Sequence, residues 1–476
     1  MNAIESLRRI AAALAFTLGA AGAAQADATI TIVNQNAPGV GFNDPTPVKP
    51  IGGNRGRTLG EQRLIAFQHA ANIWGRTLDS TVPVRIGAAF VPLACTASGA
   101  VLGSAGAYEI WTDFPNAPRA NTWYPAALAS KLARADLTTP TDPHIIARFN
   151  SRLGLFPDCL PGTGFYLGLD NRAGDQIDLV TVLLHEMAHG LGFQTFTDDE
   201  TGQLFFGIPS VWDYHLVDNR NNTPWVALTD AQRAASAITW RGLSWDGPNV
   251  NAAVPQVLGP RTNLNIGGAN AGSAAGNYFV GDASFGSPAG RRTVSGQLMQ
   301  VIDQANGTGL ACSPLSADNV KAVRNNIALV DRGNCDFVTK ARNVQAAGAI
   351  GMVVVDNVPG EVAGLSGTDL SIRIPSVRIT LADGNTIKAV LKKCSCNTSG
   401  VIATIGPDRT RLAGTDEQRR ILMYTPSTNV PGSSVSHYTT EATPNQLMEP
   451  SINSDLRHAV KPPRDLTFPL LRDIGW

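Results

Sequence analysis

The sequence predicts an α+β protein in which one domain is interrupted by a small α/β unit. From Ala28 the sequence shows an alternating strand pattern, an amphipathic helix pattern and a second alternating strand pattern. From Gly276 to Pro407 the character changes, with a Gly-, Ser- and Ala-rich lead-in, then another strand, helix and strand, and separate cysteines. A unit of this kind within a longer chain indicates an insertion.

The first predicted elements are a strand, a helix and a strand. The segment ATITIVNQN, Ala28 to Asn36, alternates as a strand does. Thr58 and Glu61 form a capping-box pattern at the start of a helix of about five turns. The apolar residues at helical spacing are Leu64, Ile65, Phe67, Ala71, Ile73, Trp74 and Leu78. The segment from Val82 to Phe90 alternates again, which predicts a half-buried strand and a βαβ start.

A second helix is predicted around LLHEMAHGLGF, Leu183 to Phe193. We expect Asp175 to cap its start, and Gly190 and Gly192 to end it. Its apolar stripe consists of Ile177, Val180, Leu184, Ala188 and Leu191. Far downstream, beyond a Pro-, Ser- and Asn-rich stretch, the last segment from Arg464 to Trp476 is expected to pack as a short element.

The first 26 residues have the features of a signal peptide. Arg8 and Arg9 precede an apolar run that ends at Ala21, and the AQA sequence at Ala24 to Ala26 fits a signal-peptidase site. The run is shorter than the roughly 18 to 20 apolar residues that a membrane span needs, and no other stretch approaches that length. We therefore expect a secreted mature chain, extracellular or periplasmic, without a membrane span.

The length and the net charge of the chain limit the number of domains and the classes of binding partner to expect. The chain has 476 residues, which favours two or three domains once a signal peptide is removed. Its net charge is zero and no cluster of Lys and Arg stands out. Electrostatics therefore gives no reason to expect nucleic acid or an anionic membrane as partner. The oligomeric state is not indicated by the sequence.

The six cysteines, an even number in an exported chain, indicate disulfide bonds. The expected pairs are Cys95 with Cys159 and Cys312 with Cys335. The remaining two, Cys394 and Cys396, either pair with each other or exchange partners with the second pair. The sequence leaves this connectivity open.

The second predicted helix carries the motif HEMAH. Residues four apart lie one turn above each other on a helix, so His185 and His189 present two imidazoles that can chelate one metal ion. Zinc in such a site lowers the pKa of a bound water toward ~7, and a carboxylate such as Glu186 accepts the proton. This is the chemistry of peptide hydrolysis. In the alternative interpretation, both histidines only satisfy hydrogen bonds in the core.

A catalytic zinc needs a third protein ligand. A downstream glutamate is disfavoured, because Glu200 follows His189 too closely and the next, Glu361, falls in the expected insert. The remaining candidates are Asp198, Asp213, His215, His437 and His458. Each of these can instead be a capped turn or a satisfied polar side chain. His437 differs in being followed by Met448 within a Pro-bounded turn.

These segments resemble the metzincin zinc metallopeptidases, and among them the leishmanolysin-like group. The resemblance rests on HEMAHGLGF, then SHY at residues 436–438 and LMEP at residues 447–450, after a long insertion. It implies a metzincin-like catalytic domain made of a twisted sheet and an active-site helix. It also implies the following roles: zinc ligands His185, His189 and His437, general base Glu186, a turn under the metal at Met448 and a bend at Gly192. In the common zinc pattern HExxHxxGxxH the third histidine would stand at Thr195, and the resemblance implies that His437 takes its place.

The insert resembles a protease-associated (PA) domain through residues Ala328 to Asn357 and Ile374 to Thr380. The resemblance implies a role in binding substrate or covering the cleft, and a simple spacer is the alternative. The expected plan is a signal peptide at 1–26, a catalytic domain at 27–275 and 408–476, and a PA insert at 276–407.

The sequence thus leads to one main hypothesis and one rival. The main hypothesis is a secreted endopeptidase that uses Zn²⁺ as cofactor and Glu186 as base on protein or peptide substrates. The rival is a secreted binding protein with an inactive peptidase core. Zinc content and hydrolysis of casein distinguish the two.

Overall fold

The computed structural model describes residues 27–367, 369–391, 398–453 and 455–476. The expected signal peptide and the pair Cys394 and Cys396 lie outside these ranges. The α-helices are α1 Leu59–Gly75, α2 Ala126–Ala133, α3 Leu179–Leu191, α4 Asp230–Ala237, α5 Pro248–Val257, α6 Ala317–Val323, α7 Phe337–Ala346, α8 Leu381–Val390 and α9 Thr467–Ile474.

The strands of the first part of the chain are β1 Ile30–Asn34, β2 Val84–Val91, β3 Gly103–Ala107, β4 Ile110–Trp111, β5 Tyr124–Pro125, β6 Ile145–Asn150, β7 Phe165–Tyr166, β8 Ile177–Asp178, β9 Leu216–Asp218, β10 Thr223–Pro224 and β11 Leu243–Trp245. Those of the second part are β12 Pro260–Gly267, β13 Gly276–Phe279, β14 Gly281–Asp282, β15 Val294–Gln300, β16 Ile327–Asp331, β17 Gly351–Val355, β18 Ser376–Ile379 and β19 Ile402–Leu412.

A four-stranded sheet in the order β1-β2-β6-β3 organises the first domain. Strands β1, β2 and β6 are parallel, and β3 pairs antiparallel to β6 at one edge. The predicted strand, helix and strand at the start of the chain are confirmed, with the capping box of Thr58 and Glu61 formed. Two details were wrong. Leu64 lies 41% exposed instead of in the apolar stripe, and β2 is buried on both faces because small residues on its second face, such as Ala89, are also covered.

Helix α3 packs against β3 and α1. The expected cap at Asp175 was wrong. The chain stays extended through β8, which pairs with β7, so the cap moves to Asp178, whose carboxylate accepts a hydrogen bond from the N–H of Thr181 at 2.8 Å. Gly192 ends the helix with a φ of 122°, a conformation that favours glycine.

The second domain is an eight-stranded sheet in the order β13-β12-β19-β15-β16-β17-β18-β14. Strands β15 to β18 are parallel, and α7 links β16 to β17 as the sequence predicts. Alternate residues of these strands enter two apolar clusters, one on each face, and neither cluster includes residues of the first domain. The sheet runs from Pro260 to Leu412, beyond the expected 276–407, because β12 and β19 pair along their length.

The chain then returns to the first domain. Buried residues from Ile421 onward, including Met448, lie in the same apolar cluster as α1 and α3. The last segment forms α9, and the indole of Trp476 donates a hydrogen bond to the carbonyl of Leu191 at the end of α3. The two halves of this domain therefore share one core, although a whole domain separates them in the chain.

Two of the predicted disulfide bonds are confirmed, Cys95 with Cys159 and Cys312 with Cys335. The first lies in the first domain and the second in the inserted one. In the part of the chain that the structure describes, each helix is too short or too polar to cross a bilayer.

Candidate metal centre

Three buried histidines meet at the middle of the first domain. His185 and His189 lie on α3, and His437 reaches them from the returning segment. Their Nε2 atoms are 3.2 Å apart in each of the three pairs. Within the described ranges they form a group of side chains that can hold one metal ion.

The opposite nitrogen of each imidazole, Nδ1, lies within hydrogen-bond distance of a backbone carbonyl. The partners of His185, His189 and His437 are the carbonyl oxygens of Leu447, Phe193 and Ser433, at 2.7, 2.7 and 2.9 Å respectively. A carbonyl only accepts, so each Nδ1 carries the proton and each Nε2 presents a lone pair. Sequence reasoning missed these three carbonyls, because any residue type supplies a carbonyl.

Burial keeps the three imidazoles neutral. It lowers the pKa of His185 to about 4 and that of His189 to about 3. The pKa of His437 also falls well below its usual value, through burial first and then through the two neighbouring histidines. Neutral imidazole is the form that binds a metal ion.

The donor set fits zinc. The three Nε2 lone pairs face one another, and no proton lies between them. A cation at that point would accept all three lone pairs as ligands. Tetrahedral zinc with Zn–N distances of ~2.0 to 2.1 Å places its ligand atoms roughly 3.3 Å apart, close to the observed 3.2 Å. The spacing of the histidines therefore suits this ion without rearrangement.

Glu186 lies on α3 directly after His185 and contacts the edge strand β3 at Ala105. Burial raises the pKa of its carboxyl to about 8, against the opposing effect of a hydrogen bond from the N–H of Ala105. Gly103 makes room for it, because a Cβ on Gly103 would come within 3.1 Å of the Glu186 Cγ. The carboxyl group is thus held against the strand, and it lines the same cleft as the three imidazoles.

The other candidate ligands have different partners. Thr195 donates a hydrogen bond to Asp213 at 2.6 Å, and Asp213 is buried and also accepts from Thr197 and from the N–H of Ser210. Asp198 accepts hydrogen bonds from two N–H groups of its own turn. The ring of His215 stacks on Trp245, and His458 lies 2.8 Å from Asp178. The structure brings His437, and none of these four, to His185 and His189.

The segment around Met448 is a buried turn. Its Leu447 carbonyl accepts from His185, and its Met448 carbonyl accepts from the N–H of Tyr438, the residue after His437. The Tyr438 ring points into the core, where its hydroxyl donates to the carbonyl of Leu466. The turn is therefore joined to the first and the third histidine.

A cleft of about 1010 Å³ opens beside the three histidines. Its lining includes residues 98–105, which contain the start of the edge strand, and residues 431–434, 436 and 437. Glu186 faces the same cleft. The arrangement leaves space for an extended chain next to the imidazoles.

Comparison with known proteins identifies one domain. The family model of the PA domain matches residues 294–387, which run from β15 into α8. The chain is 40% identical over 73 residues to the minor extracellular protease Vpr of Bacillus subtilis (strain 168), a match that covers 15% of this chain and 9% of Vpr. It is 32% identical over 123 residues to the ER degradation-enhancing alpha-mannosidase-like protein 3 of Homo sapiens, a match that covers 24% of this chain and 13% of that protein.

Among solved structures, the chain is similar to BSAP, a zinc aminopeptidase from Bacillus subtilis, at 19% identity and a TM-score of 0.22 over 33% of this chain and 35% of that one. A likeness this low carries no argument about the catalytic chemistry. The chain also spans less than a quarter of the length of the curated relatives named above. The comparisons show that the chain contains a PA domain at residues 294–387.

Proposed function

We propose that this protein is a secreted zinc-dependent endopeptidase in which His185, His189 and His437 hold the metal ion and Glu186 is the general base. One observation carries the proposal: three neutral, buried imidazoles direct their Nε2 lone pairs at one point, next to a buried carboxyl group. This combination favours a hydrolytic metal site over a structural one, because a structural site is closed by a fourth protein ligand.

Zinc bound there would lower the pKa of a water molecule and polarise the scissile carbonyl. Glu186 removes a proton from the attacking water and delivers it to the nitrogen of the leaving amine. Its carboxyl must therefore be ionised before the attack, and a nearby cation opposes the effect of burial on its pKa. The N–H of Ala105 holds the carboxyl in place during both transfers.

The edge strand supports a polypeptide substrate. Strand β3 ends the four-stranded sheet, and its residues Gly103 to Ala105 line the cleft. An edge strand offers N–H and C=O groups with which an extended peptide can pair as an added strand. A substrate bound in this way would pass beside Glu186, because Glu186 is bonded to the same strand.

Other features agree with a secreted peptidase. The chain contains a PA domain and is similar over a short part of its length to an extracellular protease. The two disulfide bonds within the described residues are typical of exported proteins. We propose that the inserted domain, which has hydrophobic clusters of its own, helps to bind protein substrates.

Glu186→Gln tests the proposal. The amide cannot accept the proton, while the three imidazoles remain, so turnover should fall by ~10² or more with zinc still bound. Hydrolysis should be measured on casein and on a peptide blocked at both ends, which an aminopeptidase cannot cleave. A wild-type protein that binds one zinc and cleaves neither substrate would instead favour a binding protein with an inactive core.

A further inference from the structure

We propose that the buried carboxyl groups of Asp465 and Glu449 are positioning residues of the metal centre. They fix the turn at residues 446–449, whose Leu447 carbonyl orients the imidazole of His185. The inference rests on the proposed function, because it concerns the same histidines. Both groups act through the backbone of the turn and neither belongs to the three-histidine set.

Asp465 holds the turn from one side. Its Oδ2 accepts a hydrogen bond from the N–H of Leu447 at 2.7 Å, and its Oδ1 accepts from the N–H of Thr467 at 2.8 Å. The residue is only 3% exposed. The carbonyl of the same Leu447 accepts from Nδ1 of His185 at 2.7 Å. Leu447 thus connects the Asp465 carboxylate to the His185 imidazole.

Glu449 holds the turn from the other side. Its Oε1 accepts from the N–H of Gln446 at 2.8 Å, and its Oε2 accepts from the amide of Asn453 at 3.0 Å. Gln446 is buried as well, and its side-chain oxygen accepts from the N–H of Leu466. The turn is therefore held to residues 465–466 by two independent hydrogen bonds.

The turn also reaches the third histidine. The carbonyl of Met448 accepts from the N–H of Tyr438 at 2.8 Å, and Tyr438 directly follows His437. A displacement of the turn would accordingly move the support of His185 and the backbone next to His437 together. Groups that hold a metal-bound imidazole through its second nitrogen commonly change metal affinity by 10- to 100-fold when altered.

Burying two carboxyl groups is unfavourable unless it is compensated. Here their oxygens are matched by backbone N–H groups and by an amide, and three of these donors belong to the turn or to the start of α9. A purely structural role would be the anchoring of α9, because the partner of Oδ1 is Thr467, the first residue of that helix. The two roles predict different effects on zinc binding.

The experiment uses the full mature chain with Asp465→Asn, Glu449→Ala and the control Asp473→Asn. Asp473 is a second carboxylate of the same segment. It anchors α9 by accepting hydrogen bonds from Trp245 and from the N–H groups of Asn249 and Val250, away from the turn. Zinc affinity is measured by competition with a chelator, and thermal unfolding is followed in chelator and in excess zinc.

We expect Asp465→Asn and Glu449→Ala to weaken zinc binding by about 10- to 100-fold and to reduce the rise in unfolding temperature that zinc produces. Asp473→Asn should lower the unfolding temperature equally with and without zinc, at wild-type zinc affinity. If Asp465→Asn does not fold, Glu449→Ala tests the same turn without touching α9.

Wild-type zinc affinity in a folded Asp465→Asn or Glu449→Ala protein would overturn the inference alone. A wild-type protein that binds no zinc would overturn the inference and the proposed function together. Zinc binding without hydrolysis in the wild type would remove the proposed function, while the affinity comparison would still decide the inference.

Discussion

The carbonyl oxygen of Gly259 accepts a hydrogen bond from the N–H of Ala413 at 2.9 Å. These two residues flank the inserted sheet, so the chain leaves the first domain and returns to it at one point. The separate apolar clusters of the insert agree with an independently folding unit. We therefore propose residues 260–412 as the insert, wider than the 276–407 expected from the sequence.

Replacing residues 260–412 by a short Gly/Ser linker should leave zinc binding and the cleavage of small blocked peptides intact, since the ends already meet. Cleavage of casein should fall if the insert binds protein substrates. Glu361→Ala is the control, because it keeps the insert and removes the hydrogen bonds between Glu361 and Ser427, in the segment that leads to His437. A folded but zinc-free excised protein would show that the insert is part of the site.

Gly103→Ala should lower turnover while zinc remains bound. The added Cβ would approach the Phe149 ring to 3.0 Å and the Glu186 Cγ to 3.1 Å, so the carboxyl group must move away from its position on β3. The matched control is Gly106→Ala, on the same strand, where the closest atom would lie 3.5 Å away. Equal turnover in the two variants, measured with saturating zinc, would refute the tight positioning of Glu186.

Stability of the metal-free protein should depend on pH through Glu186. Burial raises the pKa of this group from 4.5 to about 8 in the folded state. Between these values the folded state keeps a proton that the unfolded state releases, so the stability contributed by Glu186 is present below pH 4.5 and is lost as the pH rises through 8. The loss is on the order of 4 to 5 kcal/mol at most.

Urea unfolding in chelator at pH 5 and pH 8.5 measures this effect. Relative to Glu186→Gln, whose amide does not titrate, the wild type should lose stability at the higher pH. Glu200→Gln, at an exposed position, corrects for the general pH dependence. A stability difference between wild type and Glu186→Gln that stays constant over this range would contradict the burial of an ionisable group at this position.

The two disulfide bonds should have different effects on hydrolysis. Cys95 and Cys159 join two loops whose residues Ser98 and Leu160 line the cleft. Replacing both cysteines by serine should lower stability by about 2–4 kcal/mol and raise KM for small peptides. The corresponding change at Cys312 and Cys335, inside the insert, should leave KM for small peptides unchanged. An unaltered KM after replacement of Cys95 and Cys159 would show that the two loops do not contribute to substrate binding.

Local patterns predicted the elements that local interactions determine. The capping box at Thr58 and the strand, helix and strand of the insert needed only neighbouring residues. The cap of α3 was misplaced because β8 pairs with β7, and that pairing keeps the chain extended up to Asp178. The sheet extends beyond the expected limits of 276–407 for a similar reason, since β12 and β19 pair across more than a hundred residues.

The part of the candidate site that consists of characteristic side chains could be predicted from the sequence. The helical pair of histidines follows from their spacing, and a resemblance pointed to His437. The sequence could not predict the carbonyl of Leu447 as the partner of His185, nor Asp465 as the residue that holds it. These contacts involve backbone groups that packing brings together, and side-chain patterns in the sequence do not indicate them.

The zinc content of four purified variants tests the central claim most directly, after dialysis against a mild chelator. The variants are His437→Ala, Asp213→Ala, His215→Ala and His458→Ala, each checked for folding by circular dichroism. Loss of one of three ligands should release the metal, whereas the other three side chains have partners of their own. We predict that only His437→Ala loses zinc while it stays folded. Full zinc in His437→Ala together with loss of zinc in Asp213→Ala would contradict the account.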